Sequence, residues 1–137
     1  MRVVIDTNVW VSRLLIAGSA AAKAVHWALA ECEVMVSEAC MEELAEVLSR
    51  SKFDQYVSLE DRKRFIRAVL RVTTLVPVIS EVADCRDHAD NQFLALAWDS
   101  GSNCILTGDL DLLALNPWRG ISVIRPADFL SSRPAAR

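Results

Sequence analysis

The sequence predicts an α/β fold in which a parallel sheet is covered by helices on both faces. Three observations carry that reading. Short apolar runs rich in Val and Ile recur along the chain, segments of helical character separate them, and Ser or Gly marks many of the junctions. Short apolar strands that alternate with helices bury both faces of a parallel sheet.

Residues 2–5 form the first such run, with two Val and one Ile, and Asp6-Thr7-Asn8 ends it. A helical stretch through Val9, Trp10, Leu14 and Leu15 follows. Gly18-Ser19 breaks it, and Ser19 is placed to cap a helix over residues 20–30. Residues 33–36 read as a second strand. Ser37 caps a third helix that runs to about Ser49, and Ser58, with Asp61 three residues on, caps a fourth that runs to Arg71. Residues 72–78, which contain Pro77, read as a strand. A helix over residues 88–100 stops at Gly101, and residues 103–107 form another strand. A short helix over residues 109–115, a last strand at 121–124 and a helix opened by Pro126 complete the chain. One domain is expected over residues 1–130, with residues 131–137 frayed.

At 137 residues, 53% apolar and 24% charged, the chain needs neither disulfides nor a structural metal to fold. It has no apolar run of the roughly 18 residues that suggests a membrane span. Asp6 comes too early for the apolar core of a signal peptide, so a cytoplasmic protein with no membrane partner is expected. Cys32, Cys40, Cys85 and Cys104 are widely spaced, without the close pairs of a zinc site, and read as reduced thiols. His26 and His88, the only histidines, give zinc chemistry or a Ser-His-Asp triad little material.

The net charge of −3 argues at first against a nucleic-acid partner. It depends on where the acids sit. If Asp6, Glu43, Asp87, Asp90, Asp109 and Asp111 line one metal pocket, 12 acids remain against 15 Lys and Arg, and the rest of the chain is basic. Arg62, Lys63, Arg64 and Arg67 cluster on the fourth helix, either as a nucleic-acid-binding face or as a solvated one.

Ligands of open parallel sheets bind beyond the carboxyl ends of the strands. Asp6 and Asp109 both follow strands directly, and each is also placed to cap the helix after it. On the helix over residues 88–100 the apolar stripe is Phe93, Leu94, Ala97 and Trp98. Asp90 lies in the middle of that stripe, with Asp87 on the same side. An ionised carboxylate there is costly unless it is paired, capping or bound to metal. On the third helix the apolar side is Cys40, Met41, Leu44, Val47 and Leu48. Glu42 and Glu46 point away from it, while Glu43 lies at its edge. Carboxylates gathered from four segments repel one another, and a divalent cation removes that conflict. Hard oxygen donors suit Mg²⁺ or Mn²⁺.

These segments resemble the motifs of the PIN-domain family, in particular its bacterial toxin–antitoxin branch of VapC-like ribonucleases. Val4-Ile5-Asp6-Thr7-Asn8-Val9 is similar to the opening motif, and Glu42-Glu43-Leu44 to the helical Glu-Leu motif. Cys85-Arg86-Asp87-His88-Ala89-Asp90-Asn91 and Leu106-Thr107-Gly108-Asp109-Leu110-Asp111-Leu112-Leu113 are similar to the third and fourth. Together they cover about residues 3–125. One departure is His88, at a position often taken by Pro. The resemblance implies a three-layer α/β/α sandwich with a central parallel sheet. It implies an acidic metal site of Asp6, Glu43, Asp90 and Asp109, with Asp87 and Asp111 as further acids and Asn8 and Thr107 as polar neighbours. It also implies a homodimer, a single-stranded RNA substrate and an antitoxin partner. Trp10, Trp27 and Trp118 would serve either the core or an interface.

The expected activity is therefore metal-dependent hydrolysis of RNA phosphodiester bonds. Two alternatives stand beside it. One is a non-catalytic RNA-binding or protein-interaction module on the same fold. The other is a phosphatase of the haloacid-dehalogenase type, which would use Asp6 as nucleophile but wants Asp where Asn8 stands.

Overall fold

The computed structural model describes residues 1–132. Strand β1 (Arg2–Ile5) leads into helices α1 (Thr7–Leu15) and α2 (Ala20–Glu31), then β2 (Glu33–Val36) and α3 (Glu38–Leu48). A 3-10 turn at Ser51–Phe53 precedes α4 (Leu59–Val72) and the two-residue strand β3 (Thr74–Leu75). A second 3-10 turn (His88–Asp90) opens α5 (Asn91–Asp99). Strand β4 (Cys104–Leu106), α6 (Leu110–Leu113), β5 (Ser122–Ile124) and α7 (Pro126–Ser132) follow.

The expected Ser caps form. The side chains of Ser19, Ser37 and Ser58 accept from the backbone N–H of Ala22, Cys40 and Asp61. Gly101 ends α5 in the left-handed region at φ +63, where its N–H donates to Trp98 O and the N–H of Ser102 to Ala97 O. That is a Schellman closure, and it needs a residue without a Cβ penalty.

The five strands pair in the order β3-β2-β1-β4-β5, every pair parallel. Alternate residues of β1, β2, β4 and β5 enter opposite layers, while both residues of β3 are exposed. Val3, Ile5, Val34, Val36, Cys104 and Leu106 pack toward α1, α2, α3, α4 and α7. Val4, Met35, Ile105 and Val123 pack with Phe93, Leu94 and Ala97 of α5 and Leu112 of α6. The result is a three-layer sandwich, and it explains why the strands are apolar at nearly every position.

Several boundaries differ from the expectation. The segment expected as a strand over residues 72–78 pairs only at Thr74–Leu75, because α4 runs on to Val72 and Pro77 offers no N–H to the ladder. Ser131 and Ser132, expected to fray, lie in α7; residues 133–137 of that tail fall outside the described residues. Trp10 and Trp118 are buried and Trp27 is half-buried against Phe129, but Trp98, placed on the apolar stripe, is 48% exposed. It lies edge-on to Trp118 with the Arg119 guanidinium over its ring. No described helix is long and apolar enough to cross a membrane.

The chain steps from β1 to β2 to β3 in one direction, then returns past β1 to place β4 on its other side. The order reverses between β1 and β4, so a crevice opens at their carboxyl ends.

Candidate metal centre

Asp6 leaves the end of β1 and Thr107-Gly108-Asp109 leaves the end of β4, on either side of that crevice. Asp6 is buried and makes no capping hydrogen bond to α1. Instead its Oδ2 accepts from the Thr107 hydroxyl at 2.7 Å, and Thr107 Oγ1 in turn accepts from the Asp109 backbone N–H at 2.9 Å. Asp109 does cap α6, accepting at Oδ1 from the N–H groups of Asp111 and Leu112.

The turn before α5 brings the next two acids. Asp87 caps it by accepting from the Ala89 N–H. Asp90 is 9% exposed, makes no cap, and its buried Oδ2 has no hydrogen-bond partner among the described residues. One carboxylate oxygen each from Asp87, Asp90 and Asp109 lies within 4.8 Å of the others. Those three could hold a cation. Their donors are hard oxygens, and a buried carboxylate oxygen left unpaired is a costly feature that a cation would relieve.

The electrostatics agree with the geometry. Burial, then the charges of Asp109, Asp6 and Asp87, push the Asp90 carboxyl up to about 7. Burial also raises Asp6, with Asp109 and Glu43 adding to the rise. The Thr107 hydroxyl and, more weakly, the nearby Asn8 N–H oppose it. Glu43 is half-buried on α3, and Thr7 Oγ1 donates to its Oε2.

Of the expected residues, Asp87, Asp90 and Asp109 form the tight cluster, and Asp6 and Glu43 border it through Thr107, Thr7 and mutual repulsion. Asp111 and Asn8 stand outside the tight cluster and line, with Asp109, a hollow of about 470 Å³. Thr7 is not among the residues expected at the site; the structure buries it and pairs it with Glu43, and its place directly after Asp6 is the one sequence signal for it. Asn91 was also missed; its Oδ1 accepts from the Cys85 N–H and its buried Nδ2 has no partner among the described residues.

The basic run divides. Arg62 is not a surface contact: it is 2% exposed, donates to the carbonyls of Leu48 and Arg50, and pairs with Asp54 at 2.6 Å. The reason lies in helical spacing, since residues 62, 65, 66 and 69 share the inward face of α4. Lys63, Arg64 and Arg67 are exposed, with Arg64 on Asp61 and Arg67 on Glu60. The four cysteines are free thiols, and burial pushes that of Cys40 up to about 11.

A cluster of acids at the reversal point of a parallel, doubly covered sheet defines an α/β protein with a candidate cation site. Residues 2–111 match the model of the PIN domain, and the chain belongs to that family, whose members are generally nucleases. It is 30% identical over 117 residues to an uncharacterized protein of Methanocaldococcus jannaschii, covering 84% of this chain and 75% of that protein. The fold is similar to VapBC2 from Rickettsia felis bound to a promoter DNA fragment, at TM-score 0.64 and 11% identity over 91% of this chain and 98% of that one. It is also similar to FitAB bound to a DNA fragment, at TM-score 0.58 and 15% identity over 91% and 95%.

Proposed function

We propose that this chain is a metal-dependent endoribonuclease and the toxin of a toxin–antitoxin pair. The observation that carries the reading is the tight cluster of Asp87, Asp90 and Asp109 oxygens, with a buried Asp90 oxygen that has no hydrogen-bond partner among the described residues. The two structural relatives, VapBC2 and FitAB, support the antitoxin half of the reading.

Asp87, Asp90 and Asp109 would hold Mg²⁺ or Mn²⁺, with Asp6 and Glu43 at the border of the site. A bound ion supplies Lewis-acid polarisation of the scissile phosphate and lowers the pKa of a water at neutral pH. The chain's own residues set the geometry. Thr107 fixes Asp6 and the Asp109 backbone together, and Thr7 fixes Glu43. The amides of Asp111 and Leu112 orient Asp109. The remaining acids, Asp111 among them, keep the rim electronegative, so phosphate approach depends on charge neutralisation at the cluster. Lys63, Arg64 and Arg67 supply backbone contacts for single-stranded RNA. A homodimer and an antitoxin whose segment covers the acids complete the reading.

The test is cleavage of a labelled single-stranded RNA pool by the purified protein with Mn²⁺, Mg²⁺ or EDTA, beside Asp90→Asn. Metal-dependent cutting that disappears in the variant is expected. Equal cutting by the variant sinks the site.

A further inference from the structure

Residues 76–85 cross α5 as a strap tied down at three points. Asp99, the last residue of α5, accepts from the backbone N–H of Ile79 at 2.8 Å and of Ser80 at 2.9 Å, and from the Ser80 hydroxyl. Asp84 accepts from Trp118 Nε1 at 2.8 Å, and Asn91 Oδ1 accepts from the Cys85 N–H at 2.8 Å. Beside these ties the strap and one flank of α5 border an open cleft of about 830 Å³. That lies within the range of small-ligand sites. Val78 and Val82 of the strap and Ala89 and Ala95 on the α5 side are among its lining residues.

We propose that this cleft receives a nucleobase of the RNA strand next to the scissile phosphate, a proposal that rests on the nuclease reading above. Small aliphatic side chains on both walls suit the face of an aromatic ring. Gln92 lines the cleft with an amide that can both donate and accept, the chemistry that reads a base edge. Asn91 also lines it, with its Oδ1 held by the Cys85 N–H, so that the strap is anchored beside the cleft. Among the described residues Glu81 lines the cleft and no Lys or Arg does, so a phosphate or an acidic peptide is disfavoured there. A peptide adding along the strap is disfavoured as well, because the N–H groups of Ile79 and Ser80 are already given to Asp99.

Position favours the same occupant. His88 and Ala89, which line the cleft, lie between Asp87 and Asp90 in the turn that carries both acids. An RNA strand whose phosphate sits at the cluster would bring its neighbouring base to that flank of α5, where His88 supplies an imidazole among the lining residues.

The experiment uses Gln92→Leu and, to fill the cleft, Ala95→Phe. Sequence preference is read as kcat/KM on single-stranded RNAs differing at one nucleotide beside the cut, and on one with an abasic ribose there. Both variants are expected to lose about tenfold on the preferred RNA and to cut the abasic RNA as wild type does. Their Mn²⁺ affinity, measured by titration without RNA, should stay within twofold. Unchanged base preference in both variants overturns the proposal. Independently of cleavage, Asp90→Asn protein is irradiated with RNA carrying a photoreactive thio-base. Adducts within residues 78–83 or 88–95 that vanish when Ala95→Phe is added support a base in the cleft. Adducts confined elsewhere, or a peptide partner that fills the cleft while base preference persists, overturn it. If wild-type protein cuts no RNA with either metal, the nuclease reading fails, and the adducts still decide what the cleft binds.

Discussion

The Thr107 hydroxyl donates to Asp6 Oδ2 at 2.7 Å although 101 residues separate the two. Thr107 Oγ1 also accepts from the Asp109 N–H, so one fully buried side chain joins the ends of β1 and β4 across the crevice where the strand order reverses. Neighbours that orient a metal-binding carboxylate commonly matter almost as much as the ligands themselves.

Thr107→Val keeps the shape of the side chain and removes both hydrogen bonds. Mn²⁺ affinity and cleavage are expected to fall about 10- to 100-fold. Stability should drop by roughly 1–3 kcal/mol, because the buried Asp6 carboxylate loses its donor. Isothermal titration and chemical denaturation check the two separately, and unchanged metal affinity contradicts the positioning role.

The pH dependence follows from Asp90, whose carboxyl sits near 7 against an ordinary value near 4. In metal-free protein the folded state therefore binds more protons than the unfolded state between about pH 4 and pH 7. The stability present below that window is lost as the pH rises through it. Melting temperatures in EDTA should be higher at pH 5 than at pH 8, and Asp90→Asn should flatten the difference. Since protons and cation compete for one carboxylate, Mn²⁺ affinity should weaken below about pH 7.

Arg62 and its neighbours on α4 separate structure from binding. Arg62→Ala leaves the Leu48 and Arg50 carbonyls without their donor and is expected to cost about 1–3 kcal/mol in a denaturant melt. Replacing Lys63, Arg64 and Arg67 by Ala should leave the melt within about 0.5 kcal/mol per site. If those side chains meet phosphates, RNA affinity falls and its salt slope drops by about one for each contact removed. A salt slope unchanged in the triple variant rules out that face.

Gly101→Ala tests the closure of α5. At φ +63 an Ala pays for the left-handed conformation, though its Cβ meets nothing closer than Arg2 Nη1 at 3.6 Å. A loss of about 1 kcal/mol with metal affinity retained is expected from a denaturant melt and a Mn²⁺ titration.

Much of the molecule could be read from sequence because the signals are local. The Ser caps, Gly101 and the apolar runs each depend on a few neighbouring residues, and they place the strands, the helices and the acids at their ends. Helical spacing alone set Asp90 on the inward side at the start of α5 and turned Glu42 of α3 toward solvent. The tertiary structure decided what depends on distant chain segments. It made Asp87 a partner of Asp90 and Asp109 within 4.8 Å, gave Thr7 to Glu43 and Thr107 to Asp6, and left Asp90 Oδ2 without a partner among the described residues. It buried Arg62 against carbonyls from another helix end and left Trp98 exposed on a helix whose other large apolar side chains are covered. Propensity and periodicity act over a few residues, whereas a shared hydrogen bond or a common charge cluster requires that the sheet first bring its strand ends together.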